Sequence, residues 1–83
     1  MKAVYFAWVR ERLGLAEEEI APPDSVKTVG PLVDWLAARG DGYAVAFASR
    51  KSVRAALDKT HVNAQTPIAA AREIAFFPPM TGG

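Results

Sequence analysis

The sequence contains no cysteine. Its absence excludes a disulfide framework, a thiol nucleophile, a zinc ribbon and an iron–sulfur site, so the fold must rest on packing alone. Histidine is nearly absent too. His61 stands alone, without the companions that a metal site or a nucleophile–base pair would need. Neither sign of charge prevails: ten Lys and Arg against nine Asp and Glu leave a net +1. That balance argues against a nucleic-acid binder, which normally carries a strong basic excess, and against a polybasic membrane anchor. No apolar run approaches the roughly 20 residues needed to span a bilayer. The phosphate loop G-x-x-x-x-G-K-[ST] and the nucleophile elbow G-x-S-x-G are both missing. As a stand-alone enzyme the chain has almost nothing to work with.

What is present fits one small domain. Eighty-three residues leave no room for a second core. An apolar fraction of 51% belongs to a folded chain rather than a disordered one. The opening run from Met1 to Val9 has charged residues where the small-residue cleavage site of a signal peptide would lie. It therefore reads as a mature strand, and the cytoplasm is the expected location.

Residues 2–10 are rich in Val, Tyr, Phe and Trp, which suits a strand. Val4, Phe6 and Trp8 would share one face, with Tyr5, Ala7 and Val9 on the other. Two apolar faces place that strand in the middle of its sheet. Arg10 to Gly14 reads as a turn with some helical character. Residues 17–21 can pair back as a second strand, stopped by Pro22-Pro23. Val29, Leu32, Val33 and Leu36 fall at i, i+3, i+4 and i+7 and predict an amphipathic helix over 29–39. Thr28 or Asp24-Ser25 would cap it, and Arg39 and Gly40 would close it. Pro31 is tolerated in the first turn. Residues 41–52 read as irregular or helical, 53–57 as a short strand, 58–67 as a polar hairpin or looped edge, and 73–77 as a last strand. This is an α+β order. The economical arrangement is a β-grasp: one main helix across a mixed sheet, with the first and last strands parallel and adjacent at its centre.

The C-terminal end is the most unusual feature. Residues 78–83 are expected to form an extended tail beyond a domain of residues 1–77. Pro78-Pro79 cannot continue a ladder, and prolines keep the chain extended. Six such residues reach at most about 20 Å. Without β-carbons, Gly82-Gly83 is a very slim peptide that can enter a partner's narrow channel at almost any φ/ψ. The carboxylate of Gly83 is unhindered, open to activation by another enzyme, for instance as an acyl-adenylate. Phe76 and Phe77 alternate across the last strand, so one should enter the core. The other, with Pro78, Pro79 and Met80, would form an apolar patch of the kind that marks partner surfaces.

Other groupings read as ordinary. His61 is expected to be an exposed loop residue. Glu17-Glu18-Glu19 is expected to be a solvated edge and not a metal site. Arg50, Lys51, Arg54 and Lys59 against Asp58 leave a local +3, a solvated face or a dock for an acidic partner or a phosphate. Trp8 and Trp35 are expected to pack rather than to recognise a ligand.

The ending Phe76-Phe77-Pro78-Pro79-Met80-Thr81-Gly82-Gly83 resembles the small subunit of molybdopterin synthase, the MoaD-type sulfur carriers of the ThiS/MoaD-like family. The similarity extends to Val4-Tyr5-Phe6-Ala7, to Arg10-Glu11-Arg12-Leu13-Gly14, to Thr28-Val29 with Leu32 and Leu36, and to Thr66-Pro67-Ile68. It weakens at Val53-Arg54-Ala55-Ala56-Leu57-Asp58, where many members read Val-Ala-Val-Asn, and over residues 41–52.

The resemblance implies a ubiquitin-like β-grasp fold and a carrier role in molybdenum cofactor biosynthesis. An ATP-dependent adenylating enzyme would activate Gly83, and sulfur would replace AMP to leave a thiocarboxylate. The tail would then enter the large synthase subunit, in the heterotetramer expected of the family. Its sulfur would pass to cyclic pyranopterin monophosphate, and two transfers would make the dithiolene. Gly83 would carry the sulfur and Gly82 would let the tail thread. Thr81 and Met80 would line the channel, and Phe76, Phe77, Pro78 and Pro79 would hold the partner. The chain itself would bind no cofactor or metal; ATP would be used by the activating partner. Two further readings stay open. One is sulfur donation to thiazole or another product. The other is a ubiquitin-like module joined to a lysine through Gly83, or docking without chemistry.

Overall fold

The computed structural model describes residues 1–79. Five strands, β1 (Lys2–Tyr5), β2 (Glu17–Glu19), β3 (Arg54–Leu57), β4 (Thr60–Val62) and β5 (Glu73–Phe77), form one mixed sheet in the order β2-β1-β5-β3-β4. Three helices, α1 (Ala7–Leu13), α2 (Val29–Ala37) and α3 (Asp41–Ala46), and a 3-10 turn at Arg50–Ser52 complete the fold. β1 and β5 run parallel, in register from Lys2↔Glu73 to Tyr5↔Phe76. The other pairings are antiparallel. This is the expected α+β β-grasp, with the first and last strands adjacent at the centre.

Period-two alternation sends Ala3 and Tyr5 of β1 and Ile74 and Phe76 of β5 to one face, and all four are buried. The α2 stripe of Val29, Leu32, Val33 and Leu36 is buried in the same core. Tyr5 stacks on Phe76 at 6.1 Å between ring centroids, and Phe47 meets Phe76 edge-on at 5.0 Å. The first N–H groups of α2 lack helical acceptors. Val29 and Gly30 donate theirs to the carbonyls of Thr66 and Ala64 at 3.0 and 2.9 Å. A β-carbon at Gly30 would sit 3.3 Å from the Ala64 β-carbon and carbonyl oxygen, so glycine suits this close approach.

The N-terminal segment differs from the sequence-based expectation. The strand stops at Tyr5 and α1 follows at once. Phe6 still donates its N–H to the Phe76 carbonyl at 3.0 Å. Ala7 then adopts φ +52 and turns the chain out of the sheet. In α1, Val9 is buried and Leu13 packs against the core from one turn further on. Trp8 and Arg12 share the next stripe, with the guanidinium 5.9 Å from the ring centre. Gly14, at φ +75, ends the helix by donating its N–H to the Arg10 carbonyl at 2.9 Å. Val4, Phe6 and Trp8 therefore do not share one face of a single strand.

Smaller differences follow the same logic. α2 ends at Ala37, and Gly40 is the N-cap of α3 rather than the stop of α2. Residues 41–52, expected to be irregular or helical, hold α3 and the 3-10 turn, and supply Ala46 and Phe47 to the core. Between β3 and β4, Asp58 (φ +46) and Lys59 (φ +73) make the two-residue turn that positive φ values favour in hairpins. The Asp58 carboxylate accepts N–H bonds from Arg72 and Glu73 at 3.1 and 3.0 Å, tying this hairpin to the start of β5.

Glu18 is not merely a solvated edge residue. It accepts the hydroxyls of Tyr5 and Tyr43 at 2.8 and 2.7 Å, and Arg39 pairs with it at 3.2 Å. Burial alone would raise its carboxyl; the Tyr43 and Tyr5 hydroxyls and Arg39 outweigh that and hold it below the ordinary 4.5. Burial, then Glu18, push the Tyr5 hydroxyl above its usual range. A depressed carboxyl stabilises the fold above 4.5, and that contribution fades as pH falls through the lower folded value. Glu18→Gln is expected to cost about 1–3 kcal/mol at neutral pH. The gap to the parent should close in acid. Urea titrations across the acid range check this, and a gap that stays constant would contradict it.

Candidate functional site

The base of the C-terminal tail is assembled by β5 and the elements on either side of it. The ladder ends at Phe77, and Pro78 and Pro79 follow outside any strand, both half-buried. Met80, Thr81, Gly82 and Gly83, expected as the channel-lining and reactive end, lie outside the described residues.

The two phenylalanines part as alternation requires. Phe76 is 0% exposed and stacks between Tyr5 and Phe47. Its ring is a core group, so of the two phenylalanines Phe76 is the one that enters the core. Phe77 points to the opposite, outward face and is half-buried. There it meets His61 of β4 edge-on, at 5.2 Å between ring centroids. Phe6, 50% exposed, takes the next outward position beside Phe77, just beyond the neighbouring strand β1. Phe6 and Phe77 thus give the tail base an apolar outward side. Sequence reading missed Phe6 and His61 here. The missed signal was the parallel β1–β5 register, which carries Phe6 alongside Phe77.

On the helix side, a groove of about 660 Å³ borders the same two prolines. Trp8 and Arg12 of α1, Val45 and Ala46 of α3, Lys51, and Pro78-Pro79 line it. A larger hollow of about 840 Å³ lies between α2 and the β3–β4 hairpin, with Phe76 at one edge. Of the expected basic cluster, Arg50 is engaged by Asp34 and the Phe47 carbonyl. Trp8 and Trp35 are half-buried packing residues, each beneath an arginine.

Among the described residues no group of three His, Asp or Glu is placed to hold a metal ion. The titratable cluster of Glu18, Tyr5, Tyr43 and Arg39 satisfies itself internally and serves as a clasp between β2 and the helices. No helix among the described residues is long and apolar enough to cross a membrane.

The chain is 39% identical over 83 residues to the molybdopterin synthase sulfur carrier subunit of Escherichia coli (strain K12), covering all of this chain and 99% of that protein. It is 32% identical over the same length to the protein of that name from Haemophilus influenzae, with the same coverage. The crystal structure of SAMP1 from Haloferax volcanii superposes with a TM-score of 0.72 at 26% identity, covering 100% of this chain and 98% of that one. The ThiS family model matches residues 3–83, and the chain belongs to the ThiS family.

Proposed function

We propose that this chain is a sulfur carrier in molybdenum cofactor biosynthesis, acting with the large subunit of molybdopterin synthase. The observation that carries the reading is the full-length similarity to two proteins named as that sulfur carrier subunit, through the Gly-Gly end. The described residues support it in another way. Phe6, 50% exposed, and the half-buried outward Phe77 leave apolar surface beside the end of β5.

In this reading an adenylating partner binds ATP, and a Gly83 carboxylate oxygen displaces pyrophosphate to give the acyl-adenylate. A sulfur donor then displaces AMP and leaves the thiocarboxylate. The loaded tail enters the large subunit, which binds cyclic pyranopterin monophosphate and takes the sulfur. A thiocarboxylate suits this task because its sulfur is nucleophilic and stays attached until a second enzyme accepts it. Gly82 gives the tail its slim profile, and Thr81 and Met80 line the channel. Phe77, Pro78 and Pro79, joined by Phe6, seat the large subunit around the entrance. This chain binds no cofactor of its own, and it works in the cytoplasm within a heterotetramer.

Phe77→Asp tests the docking base. A charge at this half-buried outward position should weaken binding to the large subunit by about tenfold or more, since burying an unpaired carboxylate is unfavourable. The melting temperature should change little. Titration calorimetry with the large subunit checks it, and unchanged affinity would remove Phe77 from the interface.

A further inference from the structure

The groove on the helix side of the tail base has an uneven chemistry. Its lining is mainly apolar, with Trp8, Val45, Ala46, Ala48, Pro78 and Pro79 beside Ser49 and Ser52. Val45 is 52% exposed, one of only two large apolar residues so open among those described. Its rim carries two cations, Arg12 and Lys51, and no carboxylate lines it. Neither cation forms an ion pair among the described residues. Arg12 lies over Trp8 at 5.9 Å, which holds its guanidinium at the groove rather than in open solvent. The chain leaves β5 along this groove through Pro78-Pro79. Whatever receives the tail must therefore pass close to both cations.

We infer that this groove is a second docking surface, and that it takes a carboxylate-bearing apolar segment of the protein that receives the tail. The inference rests on the carrier reading above and names the chemistry of the partner at one place. An apolar side chain of the partner sits on Trp8 and Val45, while Asp or Glu side chains beside it face Arg12 and Lys51. Exposed opposite charges act mainly on the rate of encounter, while the apolar contact acts on residence. The cations steer the tail toward its channel, and Trp8 with Val45 holds it there. Overall charge is too small to provide such steering, because the net is only +1. The local arrangement does so instead.

Association with the large subunit, measured by stopped flow at about 50 mM and about 500 mM salt, tests this. The parent should associate several-fold faster at low salt. Arg12→Glu with Lys51→Glu should slow low-salt association by about tenfold and leave dissociation nearly unchanged. The two proteins should converge at high salt. Arg12→Gln with Lys51→Gln, which keeps side chains of similar reach, should lie between them, and melting curves confirm that each variant is folded. Equal rates for parent and reversed protein, or rates indifferent to salt, would overturn the groove as an acidic-partner dock and leave the carrier reading standing. No association of the parent at either salt would overturn the carrier reading and this inference with it.

Discussion

A chain that ends at Thr81, or one extended by a residue past Gly83, is expected to melt with the parent and to transfer no sulfur. The two halves of this expectation have separate causes. Among the described residues the last core side chain is Phe76, so the packing is complete before Pro78. Chemistry, by contrast, depends in this account on one carboxylate at one position. Shortening removes it, and lengthening moves it beyond the reach that docking at Phe6 and Phe77 sets. Thermal melts and reconstituted sulfur transfer with the activating enzyme and the large subunit check both halves. A large loss of stability would mean that the tail is part of the core. Retained transfer would mean that Gly83 is not the carrier atom's home.

Phe76→Ala is expected to do the reverse. Phe76 is wholly buried between Tyr5 and Phe47, and such truncations cost about 3–5 kcal/mol. Small domains hold about 5–15 kcal/mol in total, so this one change takes a large share. For a chain of this size it lowers the melting temperature by roughly 12–40 °C, at about 4–8 °C per kcal/mol. Equilibrium unfolding in urea gives the value directly. A cost below about 1 kcal/mol would contradict the packing described for Phe76. Phe77, its neighbour in sequence, faces the other way, and its substitution should be felt in binding instead.

Much of this was legible from residues alone. Val29, Leu32, Val33 and Leu36 show α2 because an i, i+3, i+4, i+7 stripe has no other economical use, and all four are buried. Pro78-Pro79 marks the end of β5 because proline cannot donate to a ladder. The parallel pairing of first and last strands followed from how few elements there were to arrange.

The misreadings have equally local causes. Aromatic and β-branched residues run on from β1 through Phe6 to Trp8 and Val9 of α1, so composition cannot separate the two. What separates them is the Val9–Leu13 and Trp8–Arg12 spacing and the left-handed Gly14. Phe47 lay hidden among alanines, although its ring packs against the centre of the core. Glu18 looked like one of three equivalent acids. Only the fold brings Tyr43 and Arg39 across to it. Likewise the surroundings of the end of β5 were readable at Phe77 and Pro78 but not beyond them. Phe6 joins through a strand pairing, and Arg12 and Lys51 join through helix packing.

The measurement that tests the central claim most directly is the fragment spectrum of the C-terminal peptide after activation. The chain is incubated with its adenylating enzyme, ATP and a sulfur donor, then cleaved after Arg72. Sulfur replacing oxygen at Gly83 and oxygen added to Met80 change the intact mass almost equally, so the fragments must place the change. The account predicts that the added mass resides on Gly83, requires ATP, and disappears when the large subunit and its pterin substrate are supplied. A chain whose Gly83 stays an ordinary carboxylate under these conditions would contradict it.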